Sequence, residues 1–244
     1  MTRVRLVALG AALSAAGCSS YDFFNRDRDA LNKFSRAYTE FRNIGADTEA
    51  VRDVYLGPEI DSFGFWAASN EAFATDPGSN DAGRLEMARS AIVSYDQSMP
   101  RSLEKFSDQV GKLDKAVGQL FETANAIHNR KYREDAVQIA KYAREAQASV
   151  ALVQTLEDQR LRYQRQALSD VVNADGSLAR AFRASAMEME LNEINKISEE
   201  IQDAAKRSTA AMQNLKDTFS ALKGKTNLKA YPTKDELQDE KTGR

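Results

Sequence analysis

One cysteine and one histidine occur in 244 residues. A single cysteine excludes an intrachain disulfide framework, and the spacings of cysteine and histidine that hold zinc are absent. A single histidine, His128, excludes a di-iron bundle of the paired Glu-x-x-His type, which needs two. A Ser-His-Asp hydrolase would have to use His128, and the Gly-x-Ser-x-Gly turn of many such enzymes is missing. No P-loop or dinucleotide-binding glycine pattern is present. Proline is equally scarce: none lies between Pro100 and Pro232, and that stretch holds only Gly111, Gly118, Gly176 and Gly224 as glycines. No strand-like alternation interrupts it. No later stretch has the roughly 20 apolar residues of a spanning helix. The net charge is −2, so overall charge makes no case for binding nucleic acid.

What is present begins at the first residues. Arg3 and Arg5 precede an apolar, alanine-rich run of 11 residues from Leu6 to Ala16. A run that short reads as the hydrophobic region of a signal peptide. Its ending, Ala15-Ala16-Gly17-Cys18, resembles the lipobox of bacterial lipoproteins, with Ala15 where Leu is usual. The resemblance covers the signal alone. It implies cleavage after residue 17, lipidation of Cys18 with fatty acyl chains such as palmitate, and a new N-terminus at that cysteine. Ser19 and Ser20 follow where Asp often marks retention in the inner membrane, which implies the periplasmic face of an outer membrane. Cleavage removes Arg3 and Arg5 and takes the charge from −2 to −4.

The rest reads as all-α: an elongated antiparallel helical bundle with long, heptad-patterned, coiled-coil-like helices. Residues 18–24 form the lipidated tether, 25–99 shorter helices, 100–223 the long-helix bundle and 224–244 a disordered polar tail. The first helix spans about Asn25 to Ile44, with Leu31, Phe34, Tyr38 and Phe41 on one face and Gly45 ending it. A short helix over 58–74 and another over 82–96 follow. A fourth helix starts near Pro100 and steps through Leu103, Phe106, Val110, Leu113, Val117, Leu120, Ala124 and Ile127 by alternating threes and fours. Ile127-His128-Asn129 marks a break, with Asn129 as a left-handed cap, although one continuous helix is the alternative.

The next helix runs from Arg130 to Val172, with a broad seam of Ile139, Ala143, Ala146, Val150 and Val153 flanked by Tyr142, Leu152 and Leu156. A turn at 173–176 leads to a helix capped by Ser177 and closed by Gly224. Its stripe is Met187, Leu191, Ile194, Ser198, Ile201, Ala205, Ser208, Met212, Leu215, Phe219 and Leu222. Tyr142 is the expected filler opposite the small Ser198, Ala205 and Ser208. Such stripes pack inside one chain or against a second copy; short loops favour the first, and the oligomeric state stays open.

Two surfaces qualify as docking sites. The hairpin tip carries Arg160, Arg162, Arg165, Arg180 and Arg183 with Phe182 among them and no lysine from 159 to 187. Arginine suits bidentate contact with carboxylate or phosphate, hence an acidic protein or another anionic envelope component. The bland alternative pairs these arginines with Asp158, Glu188 and Glu190. Phe63, Phe65, Trp66 and Phe73 form an aromatic group that either caps the core or meets a partner. No catalytic residue, metal site or cofactor is expected. The expected function is a non-catalytic, lipid-anchored scaffold or adaptor of the envelope, with the membrane and an envelope protein as partners. The alternative is a binding module for a lipid or amphipathic ligand; an enzyme is the least favoured reading.

Overall fold

The computed structural model describes residues 27–49, 104–171, 184–226 and 228. These residues form four helices: α1 (27–49), α2 (104–125), α3 (Arg130–Val171) and α4 (Ala184–Thr226). Among them there is no strand, and the architecture is an all-α bundle. The signal region, Cys18, the helices expected over 58–74 and 82–96, the start near Pro100, the 173–176 turn with Ser177, and the tail beyond Leu228 lie outside the described residues.

The chain divides into two compact units, and each long helix contributes to both. The first unit gathers α1 up to Ala46, α2 from Leu113, α3 as far as Arg144 and α4 from Ala211. Its core joins Leu31, Phe34, Tyr38 and Phe41 of α1 to Val117, Leu120, Ala124 and Ile127 of α2. Ala136, Ile139 and Ala143 of α3 and Leu215, Phe219 and Leu222 of α4 complete it. Helices α1 and α4 run antiparallel: Tyr38 stacks on Phe219 with ring centroids 3.6 Å apart, and Gly45 faces Met212.

Helices α2 and α3 form an antiparallel hairpin, pinned by Arg144 donating to Asp114 at 2.6 Å, equally far from Asn129 on either side. The break after α2 is real, and it is built from both sides. Ile127 donates to the Ala124 carbonyl at 3.3 Å in a tightened last turn. Asn129 is the N-cap of α3 rather than a terminal cap of α2: its side-chain oxygen accepts from Lys131 N at 3.1 Å and Tyr132 N at 3.4 Å. A third element holds the turn. The Asp27 carboxylate, from the first turn of α1, accepts His128 N at 2.8 Å and Asn129 N at 3.2 Å.

The α2 stripe from Phe106 to Ile127 is buried at every expected position. Along α4 the buried line departs from the strict heptad: Ile197, Ala204 and Ala211 are buried where Ser198, Ala205 and Met212 were expected, and these three are half-buried. A bundle helix meets two neighbours, so its apolar stripe is wider than a two-position seam and takes in the adjacent line. Leu152 is exposed instead of flanking the seam, and Tyr142 is half-buried. Neither Gly45 nor Gly224 ends its helix; α1 runs to 49 and α4 to Thr226. A helical glycine costs only ~1 kcal/mol, which continued packing outweighs. Lys225 donates to Asp135 at 2.8 Å and Leu228 is buried, so the segment expected to be disordered from 224 starts ordered.

In the second unit, Phe106 and Val110 of α2, Val153 and Leu156 of α3, and Ile197, Ile201 and Ala204 of α4 form one buried cluster. Val150 and Ala151 pack against its edge.

Candidate functional site

Of the expected arginine surface, Arg160, Arg162 and Arg165 fall on α3 in the second unit, and the structure describes the side chains of Arg160 and Arg162. Arg162 is exposed, and its Nη2 lies 2.6 Å from Asp158 Oδ2, one helical turn back. This is the i,i+4 pairing anticipated as the bland alternative. An exposed pair of this kind contributes ~0–1 kcal/mol, so Arg162 can exchange Asp158 for another carboxylate at little cost.

Arg160 is not part of any surface. It is 7% exposed, and its Nη2 lies 2.8 Å from Oε2 of Glu157, which is 0% exposed. The physical reason is helical geometry. Positions 153, 156 and 160 share a face, and Val153 and Leu156 point into the core, so Arg160 follows them inward while Arg162, two residues on, turns out. Arg165 lies on α3, with its side chain outside the described set, and Arg180, Phe182 and Arg183 also lie outside it. So do Phe63, Phe65, Trp66 and Phe73.

Two exposed apolar side chains were missed in the sequence. Leu152 and Tyr163 are both exposed on α3. They stand 11 residues apart, three helical turns, and therefore on one face. Thr155, Gln159 and Arg162, all exposed, lie along the same side. From Leu152 to Tyr163 the charges on this side are Arg162 and its partner Asp158, where the outer face of α4 carries Lys196, Glu199, Glu200, Asp203, Lys206 and Arg207. Met189, 69% exposed, is the corresponding outlier on α4. The signal that could have found them is the 11-residue spacing, hidden because Leu152 sits one position from the buried Val153.

Burial holds the Glu157 carboxyl above the usual carboxylate range, and the neighbouring Arg160 guanidinium opposes that rise only in part. His128 has a half-exposed ring with Nδ1 3.7 Å from Asp27 Oδ1. Among the described residues no group of three or more His, Cys, Asp and Glu is placed to hold a metal ion. Among the same residues no helix is long and apolar enough to cross a membrane.

Comparison with known proteins finds no matching family model, no matching curated sequence and no matching solved structure.

Proposed function

We propose that the chain is a lipid-anchored helical scaffold or adaptor of the bacterial cell envelope, held by Cys18 at the periplasmic face of the outer membrane and carrying no catalytic centre. The observation that carries this reading is the position of the one cysteine, at the end of an 11-residue apolar run and a small-residue triplet. Several acyl chains on that one residue give firm attachment, since each buried CH₂ contributes ~0.8 kcal/mol.

The described helices add a geometric consequence. Asp27 follows Cys18 by nine residues, a tether of at most about 30 Å. The end of the first unit bearing Asp27 and the α2–α3 turn then lies within that distance of the lipid headgroups. The docking surface in this reading is the outer side of α3, where Leu152 and Tyr163 supply apolar contact. Arg162 supplies charge for an acidic envelope protein.

The test is labelling of growing cells with an alkyne analogue of palmitate. The wild-type chain takes the label and sediments with membranes, and the Cys18→Ser variant does neither. A wild-type chain without label sinks the anchor. Crosslinking in cells then tests the adaptor role: recovery of lipid and no protein sinks it.

A further inference from the structure

The buried pair on α3 has properties that a purely structural ion pair lacks. Glu157 is sealed from solvent, and Arg160 is nearly so. The two stand one turn apart on one helix, with 2.8 Å between Arg160 Nη2 and Glu157 Oε2. That contact has the distance of an ion pair without the alignment of a hydrogen bond. Among the described residues neither Glu157 oxygen receives a hydrogen bond, and Arg160 Nε donates none. A buried carboxylate is tolerated when several N–H donors surround it. This one has a single misaligned neighbour.

Among the described residues of the second unit no other cation is buried. On α4 the titratable residues around the second cluster are Glu190, Glu193, Lys196, Glu199, Glu200 and Asp203; Glu190 and Glu193 are half-buried and the rest are exposed. On α2, Glu104, Lys105, Asp108 and Lys112 are all exposed. At the end of α1, Asp47 is half-buried and Glu49 exposed. Among the described residues Arg160 is the charged group that acts on Glu157, and its attraction is smaller than the cost of removing the carboxylate from water. The members of the pair are also unequal. A guanidinium is weakly hydrated and bears burial better than most charges, and Arg160 keeps a sliver of solvent contact that Glu157 lacks.

We propose that Glu157 and Arg160 form a protonation-controlled latch in the second unit: uptake of a proton by Glu157 tightens α3 against the α2 and α4 residues of its cluster, and loss of that proton loosens it. The sign follows from linkage. The folded state holds the Glu157 proton up to a higher pH than the unfolded chain does. The stabilisation is therefore complete below the ordinary glutamate range and is lost as pH rises through the elevated folded value. Most carboxylates that are paired in the native state work in the opposite direction, and mild acid weakens them. This latch depends on no lipid anchor and no partner.

The experiment uses the full chain and its Glu157→Gln variant, which holds the shape of the protonated acid at every pH. Urea midpoints and the protection of α3 amides against hydrogen exchange, corrected for intrinsic rates, are measured from pH 5 to pH 8. The variant is expected to open several-fold less often than wild type at pH 8, and the difference is expected to vanish toward pH 5. A gap that is constant across this range, or a variant less protected than wild type at pH 8, overturns the proposal. A carbon-13 titration of the Glu157 carboxyl gives a readout independent of stability. Its midpoint is expected above the ordinary glutamate range and higher again in Arg160→Met; a midpoint at or below that range overturns the latch.

Discussion

The carboxylate of Asp27 accepts the backbone N–H of His128 at 2.8 Å across 101 residues of sequence, and the same oxygen takes the N–H of Asn129. One side chain at the start of α1 thereby satisfies donors that the α2–α3 turn leaves without a helical partner. Asp27→Ala is expected to cost about 1.5–3 kcal/mol, the range for a buried hydrogen bond to a charged group. Urea denaturation measures it. Faster exchange of the His128 and Asn129 amides, with the core amides of α4 changed only in line with global stability, locates the effect. Asp27→Asn keeps an acceptor oxygen and should recover part of the loss.

The stacked Tyr38 and Phe219 rings tie α1 to α4 in the first unit. Phe219→Ala removes a buried ring and is expected to destabilise by roughly 3–5 kcal/mol. A double-mutant cycle with Tyr38→Ala should return a coupling of ~0.5–1.5 kcal/mol, the contribution of an aromatic pair beyond buried area. A coupling of zero would mean that the rings are held apart in solution.

Gly111 and Gly118 sit on the exposed side of α2, with open space where a Cβ would stand. Alanine at either position should stabilise by about 0.5–1 kcal/mol, because glycine surrenders more backbone freedom on entering a helix. Gly224 near the end of α4 offers the same open space. Alanine there should give a smaller gain, since helix ends fray. Thermal melts of the three single variants check both the sign and the order.

The Arg162–Asp158 pair is exposed, so Arg162→Glu should change stability by less than ~1 kcal/mol. If the outer side of α3 docks an acidic partner, the same change should abolish partner recovery in crosslinking while the melting temperature barely moves. Leu152→Asp and Tyr163→Asp test the apolar half of that surface by the same two measurements. Unchanged recovery in all three variants removes this surface from the adaptor reading.

Much of the helical order was legible because long helices advertise themselves through periodicity. The α2 stripe was read position by position, and the α3 boundaries fell within one residue of those observed, Arg130–Val171 against Arg130–Val172. What escaped was of another kind. Ile197 and Ala204 are buried because α4 faces two neighbours, and a heptad read along one strand of sequence has no knowledge of the second. Gly45 and Gly224 looked like stops because local propensity is visible in sequence and the packing that overrides it is not. Arg160 was assigned to the surface by its charge, whereas its angular position beside Val153 and Leu156 places it in the core. That register is present in the sequence: the phase of position 160 with Val153 and Leu156 outweighs its charge.

The arrangement of the first unit also governs how the molecule can be instrumented. Asp27 meets the α2–α3 turn, Lys225 meets Asp135 near the start of α3, and α1 lies directly against α4. Probes attached at residues 27 and 226 therefore sit roughly 10 Å apart, a spacing set by the width of two packed helices and not by their length. A reporter fused after α4 would occupy the same neighbourhood as whatever is attached before α1. Steric competition between the two would be a property of the topology, and a reporter meant to leave the α1 end undisturbed belongs elsewhere in the chain.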